Sequence, residues 1–163
     1  GYHDFVIEMR DEVPNTINLV GIESPGLTSS TPIAKYVVSL LKQKEKLTEN
    51  ENFNPIRKPI VTFVDKSIEE KEALIKENPD YGEVICRCQT ITKAEIIEAI
   101  NNPLGVETLT GIKYRCRAMM GRCQGGYCET RIAGLLEEVK HKNREDVIYS
   151  REGSNMFVGK VRE

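Results

Sequence analysis

Cys86-Arg87-Cys88 and Cys123-Gln124-Gly125-Gly126-Tyr127-Cys128 form two close cysteine pairs, C-x-C and C-x4-C, far apart in the chain. Four thiolates in two pairs are what one metal centre needs, with each pair gripping from one loop and the intervening chain folding back to join them. Gly121, Gly125 and Gly126 flank the second pair and remove side-chain bulk, so backbone N–H groups can approach sulfur. Arg87, Arg115, Arg117, Arg122 and Arg131 lie close in sequence and can offset thiolate charge. The fifth cysteine, Cys116, falls in the helical spacing Ile112, Cys116, Met119, Met120 and reads as a buried core thiol.

The cysteine set admits a [2Fe–2S] cluster, a structural Zn²⁺, another metal, or no metal. Zinc knuckles favour C-x2-C and C-x4-C, whereas the first and third residues of so short a loop as C-x-C diverge. A two-iron cluster is larger and tolerates that divergence. With four thiolates an oxidised [2Fe–2S] centre carries a charge of about −2, which suits nearby arginines and a helix start at Cys128.

The elements that must position these residues are mostly short. Residues 4–8 and 17–21 read as strands, with a turn at Val13-Pro14-Asn15 between them. A glycine-bearing loop at 21–31 leads into a helix over 32–44, with Ile33, Tyr36, Val37, Leu40 and Leu41 on its apolar face. Residues 45–55 are polar and read as an exposed connection, and 60–64 reads as a strand. Ser67 with Glu70 and Thr92 with Glu95 are capping boxes, predicting helices over 68–77 and from 93 to about 101. A third helix is expected from Thr108 or Thr110 through Met119, and a fourth from Tyr127 to His141. Val147-Ile148-Tyr149 and Met156-Phe157-Val158 are expected to pair as a hairpin around Gly153. His3 and His141 read as surface groups, Met119-Met120 as core packing, and Lys140 to Arg144 as a basic helix end.

The 163 residues are 39% hydrophobic and 29% charged, enough for one domain or two small ones. A net charge of −2 gives no global attraction to nucleic acid, and no apolar run is long enough to span a bilayer. Clustered cysteines in odd number predict a reducing cytoplasm rather than a secreted disulfide scaffold.

Val84-Ile-Cys-Arg-Cys-Gln-Thr-Ile-Thr92 together with Met120-Gly-Arg-Cys-Gln-Gly-Gly-Tyr-Cys128 resembles the [2Fe–2S] domain of the bacterioferritin-associated ferredoxin (BFD) type. Its C-x4-C form resembles the variant at the C-terminus of FAD-dependent oxidoreductases. Asp4-Phe-Val-Ile-Glu8, Ile17 to Thr28, and Pro32-Ile-Ala-Lys-Tyr36 resemble the end of the flavin domain in the D-amino-acid-oxidase-like superfamily, nearest the anaerobic glycerol-3-phosphate dehydrogenases and the 2-hydroxyglutarate-oxidising enzymes. That family opens with a strand–GxGxxG–helix unit, which is absent here, so the chain resembles the C-terminal portion of a longer enzyme cut inside its flavin domain.

The resemblance implies an α+β chain: a strand–loop–helix flavin-domain remnant at 1–47, a connection at 48–79, a mainly helical [2Fe–2S] domain at 80–145 holding the cluster on Cys86, Cys88, Cys123 and Cys128, and a tail at 146–163. It implies FAD in the full-length parent only, approached there by the backbone N–H groups of Gly26, Leu27 and Thr28. No catalytic residue carries over, so this chain alone is expected to be inactive. The implied parent oxidises glycerol 3-phosphate and relays electrons from FAD through the cluster to an acceptor protein or quinone-linked subunit, in the cytoplasm or at the inner face of the membrane. The rival readings are a structural zinc or metal-delivery module, and a 2-hydroxy acid dehydrogenase.

Overall fold

The computed structural model describes residues 4–159; Gly1 and His3 lie outside the described residues. The chain divides into two compact units, 1–56 and 57–163.

In the first unit, β1 (Val6–Glu8) pairs antiparallel with β2 (Asn18–Val20), placing Val6 opposite Val20 and Glu8 opposite Asn18. Helix α1 (Ser30–Lys44) follows the glycine-bearing loop and ends in Lys42 and Lys44, at the negative pole of its dipole. Ser29 precedes it without a side-chain cap bond. Ile33, Val37, Leu40 and Leu41 are half-buried as the spacing predicts, but Tyr36 is exposed. No described side chain of this unit is fully buried. Two three-residue strands and one helix cannot enclose a core.

The second unit holds the core. Helix α2 (Ile68–Glu77) opens on its capping box, with the Glu70 N–H donating to Ser67 Oγ at 3.2 Å and the Ser67 N–H donating to Glu70 Oε2 at 2.8 Å. The expected strand at 60–64 does not form. An extended segment ends in a single 3₁₀ turn, Phe63–Asp65, and no partner strand lies beside it among the described residues. Phe63 is instead buried against Tyr81, their ring centroids 5.9 Å apart.

Strands β3 (Val84–Cys86) and β4 (Ile91–Thr92) form a short antiparallel hairpin that runs directly into α3 (Lys93–Ile100). Helix α4 (Leu109–Cys116) is shorter than its spacing predicts, because Arg117 adopts a left-handed conformation, φ 65°, and stops it before Met119. Helix α5 (Glu129–Lys140) ends at His141, also left-handed. The α3–α4–α5 core contains Ile96, Ile100, Leu109, Ile112, Ile132 and Leu136, joined by Ile85 and Ile91 from the hairpin.

Two segments outside 80–145 belong to this unit. Phe63 packs with Tyr81 and Ala94. The tail closes a turn through Tyr149 N–H to Ser154 O, 2.8 Å, with Ile148 opposite Asn155, and it buries Val147 completely. It also supplies carbonyls to the first turn of α4, where the Leu109 N–H donates to Ile148 O at 3.2 Å and the Thr110 N–H to Tyr149 O at 2.8 Å. Those N–H groups have no partner inside their own helix, so the tail completes α4. With small sheets beside its helices, the chain is α+β. No helix among the described residues is long and apolar enough to cross a membrane.

Candidate metal centre

The first cysteine pair is placed by the β3–β4 hairpin. Cys86 is the last residue of β3 and sits opposite Ile91 at an irregularity in the ladder. The chain then turns through Arg87 to Thr90, which is left-handed at φ 54°. The turn is anchored from behind by Glu95 on α3. Its carboxylate, 2% exposed, accepts from the Thr92 N–H at 2.8 Å, the Thr92 hydroxyl at 2.7 Å and the Phe63 N–H at 3.2 Å. The capping box thus also ties the 57–65 segment to the cysteine hairpin, a role that local spacing does not reveal.

The second pair lies on the loop from α4 to α5. Met119, Gln124 and Gly125 all have positive φ, at 65°, 48° and 92°. Reversals of this kind point consecutive N–H groups to one side. The Gly125 and Tyr127 N–H groups donate to the Cys123 sulfur, and the Met119 N–H donates to the Cys128 sulfur. Met119 is itself buried, so it packs in the core and serves the site through its backbone. The loop is braced by the Gln124 N–H and its side-chain amide, both donating to Gly121 O, at 2.8 and 2.9 Å.

Gly121 joins the two loops. A methyl group on its Cα would overlap the Cys88 Cβ and come within 3.2 Å of the Gln89 amide nitrogen. Only glycine lets the loops close to this distance.

The four thiols meet as two cross-loop pairs. Cys88 donates a hydrogen bond to Cys123, which, with the Tyr127 and Gly125 N–H groups, holds the Cys123 thiol below its ordinary value. Cys128 is pushed up to about 12, chiefly by burial, then by the charge of Cys86 and the hydrogen bond to it. Cys86 and Cys128 are buried while Cys88 and Cys123 are partly exposed, and all four are free of disulfides. Among the described residues no three His, Cys, Asp or Glu side chains are gathered around a point for a single ion. Two thiol pairs with N–H groups turned toward sulfur fit a two-iron cluster.

Cys116 stands apart. Its thiol donates to Ile112 O in its own helix at 3.4 Å, and burial pushes it up to about 11. The arginines divide. Arg115 donates to Gly111 O at 3.0 Å and Arg131 pairs with Glu83 at 2.8 Å, so both are engaged elsewhere. Arg87 lies over the Tyr127 ring, 4.4 Å from its centroid, bridging the two cysteine loops from outside. Cysteine spacing alone does not single out Tyr127; an aromatic beside one cysteine with an arginine between the other two is the available signal.

The loop read as a flavin contact lies in the first unit. The Gly26 N–H donates to Glu23 O at 2.6 Å, and Leu27 is 90% exposed. Thr28 turns its hydroxyl back to Pro25 O at 2.9 Å.

Residues 84–138 match the BFD-like [2Fe–2S] binding domain. Over 96% of its length the chain is 41% identical to a glycerol 3-phosphate dehydrogenase of Caloramator mitchellensis, of which it covers 33%. Over 40% of its length it is 37% identical to one subunit of the anaerobic glycerol-3-phosphate dehydrogenase of Escherichia coli, covering 12% of that protein. Over 30% of its length it is 45% identical to the hydrogen cyanide synthase subunit HcnB of Pseudomonas aeruginosa, covering 11%. The chain thus spans a third or less of these relatives, and no solved structure matches it. Residues 84–138 of its second unit thus carry a BFD-like [2Fe–2S] binding domain, and the chain as a whole is similar to part of a glycerol 3-phosphate dehydrogenase over 96% of its length.

Proposed function

We propose that this chain is the cluster-bearing C-terminal part of a flavin-dependent dehydrogenase that oxidises glycerol 3-phosphate, and that Cys86, Cys88, Cys123 and Cys128 hold its [2Fe–2S] cluster. The observation that carries the reading is the meeting of the four thiols as two cross-loop pairs, with backbone N–H groups turned toward Cys123 and Cys128. The substrate comes from the match that runs through both units. A shorter match would not supply it, since a hydrogen cyanide synthase subunit is also similar to 30% of the chain. A bound cluster would exchange single electrons, which lets a two-electron flavin feed one-electron carriers.

In this reading the parent's partners are the rest of the flavin domain and an acceptor protein or quinone-linked subunit, in the cytoplasm or at the inner membrane face. Leu27 and Thr28 would offer their N–H groups to the flavin ring in the parent; Gly26, whose N–H is engaged by Glu23, would give the loop its close approach. In this chain the four cysteines hold the cluster, the Gly125, Tyr127 and Met119 N–H groups stabilise charge on sulfur, and the Arg87–Tyr127 stack shields the join between the loops.

The test is spectroscopic, then kinetic. Purified without oxygen, the chain should be red-brown, contain two irons per molecule, bind no FAD and oxidise no glycerol 3-phosphate. A colourless zinc protein would overturn the cluster. In the full-length enzyme, Cys123→Ser should spare flavin reduction by substrate and slow reoxidation by the acceptor. Equal loss of both half-reactions would reduce the domain to a structural support.

A further inference from the structure

The site has one buried side and one open side. Cys86 and Cys128 are enclosed, whereas Cys88 and Cys123 reach solvent. The segments that carry them, 84–94 and 108–128, contain Arg87, Lys93, Lys113, Arg115, Arg117 and Arg122 and no Asp or Glu, within a chain whose net charge is −2. Lys93 is spent on Asp80 at 3.0 Å and Arg115 on the Gly111 carbonyl. Arg87 and Arg122 are exposed, and each is covalently adjacent to one of the two open-side cysteines. Neither has a carboxylate partner among the described residues; Arg87 rests on the half-exposed Tyr127 ring, which keeps its charge at the surface. Glu129, the carboxylate nearest this loop in sequence, lies with an oxygen over Gly125.

We propose that this open edge, framed by Arg87 and Arg122 and floored by Gly126 and Tyr127, docks an acidic one-electron carrier protein. The proposal rests on the cluster reading above and adds the chemistry of the acceptor. Two cations held at the rim of a site attract an acidic surface and raise its association rate. The same contact brings the carrier against Cys88 and Cys123, where the path through protein is shortest. Guanidinium groups that served only to offset thiolate charge would gain by turning toward the sulfurs. Arg87 and Arg122 are solvent-facing.

The probe is cytochrome c in two forms, native with its surface lysines and succinylated so that those positions are acidic. Binding to the full chain is measured by biolayer interferometry at low salt and at about 0.5 M, where screening leaves a Debye length of a few ångströms. The succinylated form should bind about tenfold or more tighter at low salt, a margin in the range of electrostatic steering, and the advantage should vanish at high salt. R87Q/R122Q should remove the advantage, and R87K/R122K should keep it. Retention of the far-UV spectrum and of the visible chromophore certifies the fold of both variants. As a second readout, chain pre-reduced with dithionite should pass one electron to the ferric haem of the succinylated form faster than to the native form. Equal binding of the two cytochromes, or preference for the basic one, by a chain that is coloured would overturn the docking proposal and leave the arginines as counter-charges. A colourless chain that still prefers the acidic probe would overturn the cluster reading instead.

Discussion

Gly121→Ala is the sharpest test of how the two cysteine loops meet. Gly121 does not have a positive φ, so alanine's backbone is permitted and the effect is steric. The new Cβ would overlap the Cys88 Cβ, an atom fixed one bond from the backbone, and would lie 3.4 Å from the Cys88 carbonyl carbon. Only the Gln89 amide, 3.2 Å away, is a side-chain end that can move aside. Overpacking of this kind costs about 1–3 kcal/mol, and the fixed obstacle puts this site at the upper end. Gly134 in α5 is the control. A Cβ there meets nothing within 4 Å, so Gly134→Ala should gain about 0.5–1 kcal/mol from helix propensity alone. The two variants should therefore differ by about 3–4 kcal/mol. For a unit of this size that is a difference of more than about 10 °C in unfolding midpoint. Thermal unfolding with thiols reduced and iron absent gives the first number. Visible absorbance after anaerobic loading with iron and sulfide gives the second, and it should be largely lost in Gly121→Ala and intact in Gly134→Ala. A Gly121→Ala chain that unfolds with wild type and loads fully would show that Cys88 and Gly121 do not touch, and the cross-loop pairing of Cys88 with Cys123 would fall with it.

Serine at Cys86, Cys88, Cys123 or Cys128 should each bleach the visible spectrum and lower stability, since metal binding is coupled to folding, while Cys116→Ser keeps the colour; iron content and absorbance of the five variants decide it. Cys116 also sets a pH dependence. Its folded-state thiol lies at about 11 against an ordinary 9.0, so its contribution is full below pH 9 and is lost as the pH rises through 11, an amount of about 2–3 kcal/mol. Denaturant titrations across that range should show the fall, and Cys116→Ala should reduce it, leaving the part due to Cys128; an unchanged slope would mean the Cys116 thiol is not buried. Glu95→Ala would strand the N–H groups of Thr92 and Phe63 and should cost about 3 kcal/mol. Its amide exchange should rise at Phe63 as well as at Thr92, and a rise at Thr92 alone would mean the 57–65 segment is held by something else.

How much of this is legible in the sequence depends on how far along the chain each interaction reaches. A capping box occupies four residues, and both Ser67–Glu70 and Thr92–Glu95 form with their helices. The cysteine spacings are equally local, so the thiol sets are identifiable without the fold. Helix α4 ends early because a single left-handed residue, Arg117, stops it, and arginine carries no glycine-like signal for that conformation. Ile60 to Val64 has the composition of a strand, but a strand exists only beside a partner, and the apolar run does not say whether one arrives. Here none does. The sequence boundaries of 80–145 for the cysteine domain exclude both the Phe63 segment and the tail, which the compact unit of 57–163 includes.

Those two omissions have one cause. The 80–145 region is small and has few large apolar side chains, so core burial alone leaves it marginal. A metal centre is one remedy, and it is the one the cysteine spacing announces. The structure adds a second that needs no metal: a strap at each end of the cysteine region. At one end, the Glu95 carboxylate fastens the Phe63 backbone and the Phe63 ring covers Tyr81 and Ala94. At the other, the tail gives its carbonyls to the start of α4 and buries Val147 among the helices. Each strap joins residues more than thirty positions apart, and the sequence marks each for a nearer role: Glu95 reads fully as a cap, Val147 as the start of a local hairpin. Fixing β4 and the start of α4 from outside also fixes the hairpin and the helix that bracket the two thiol pairs. The straps therefore hold the cysteine loops near each other before any metal binds, which lowers the conformational entropy that binding must overcome.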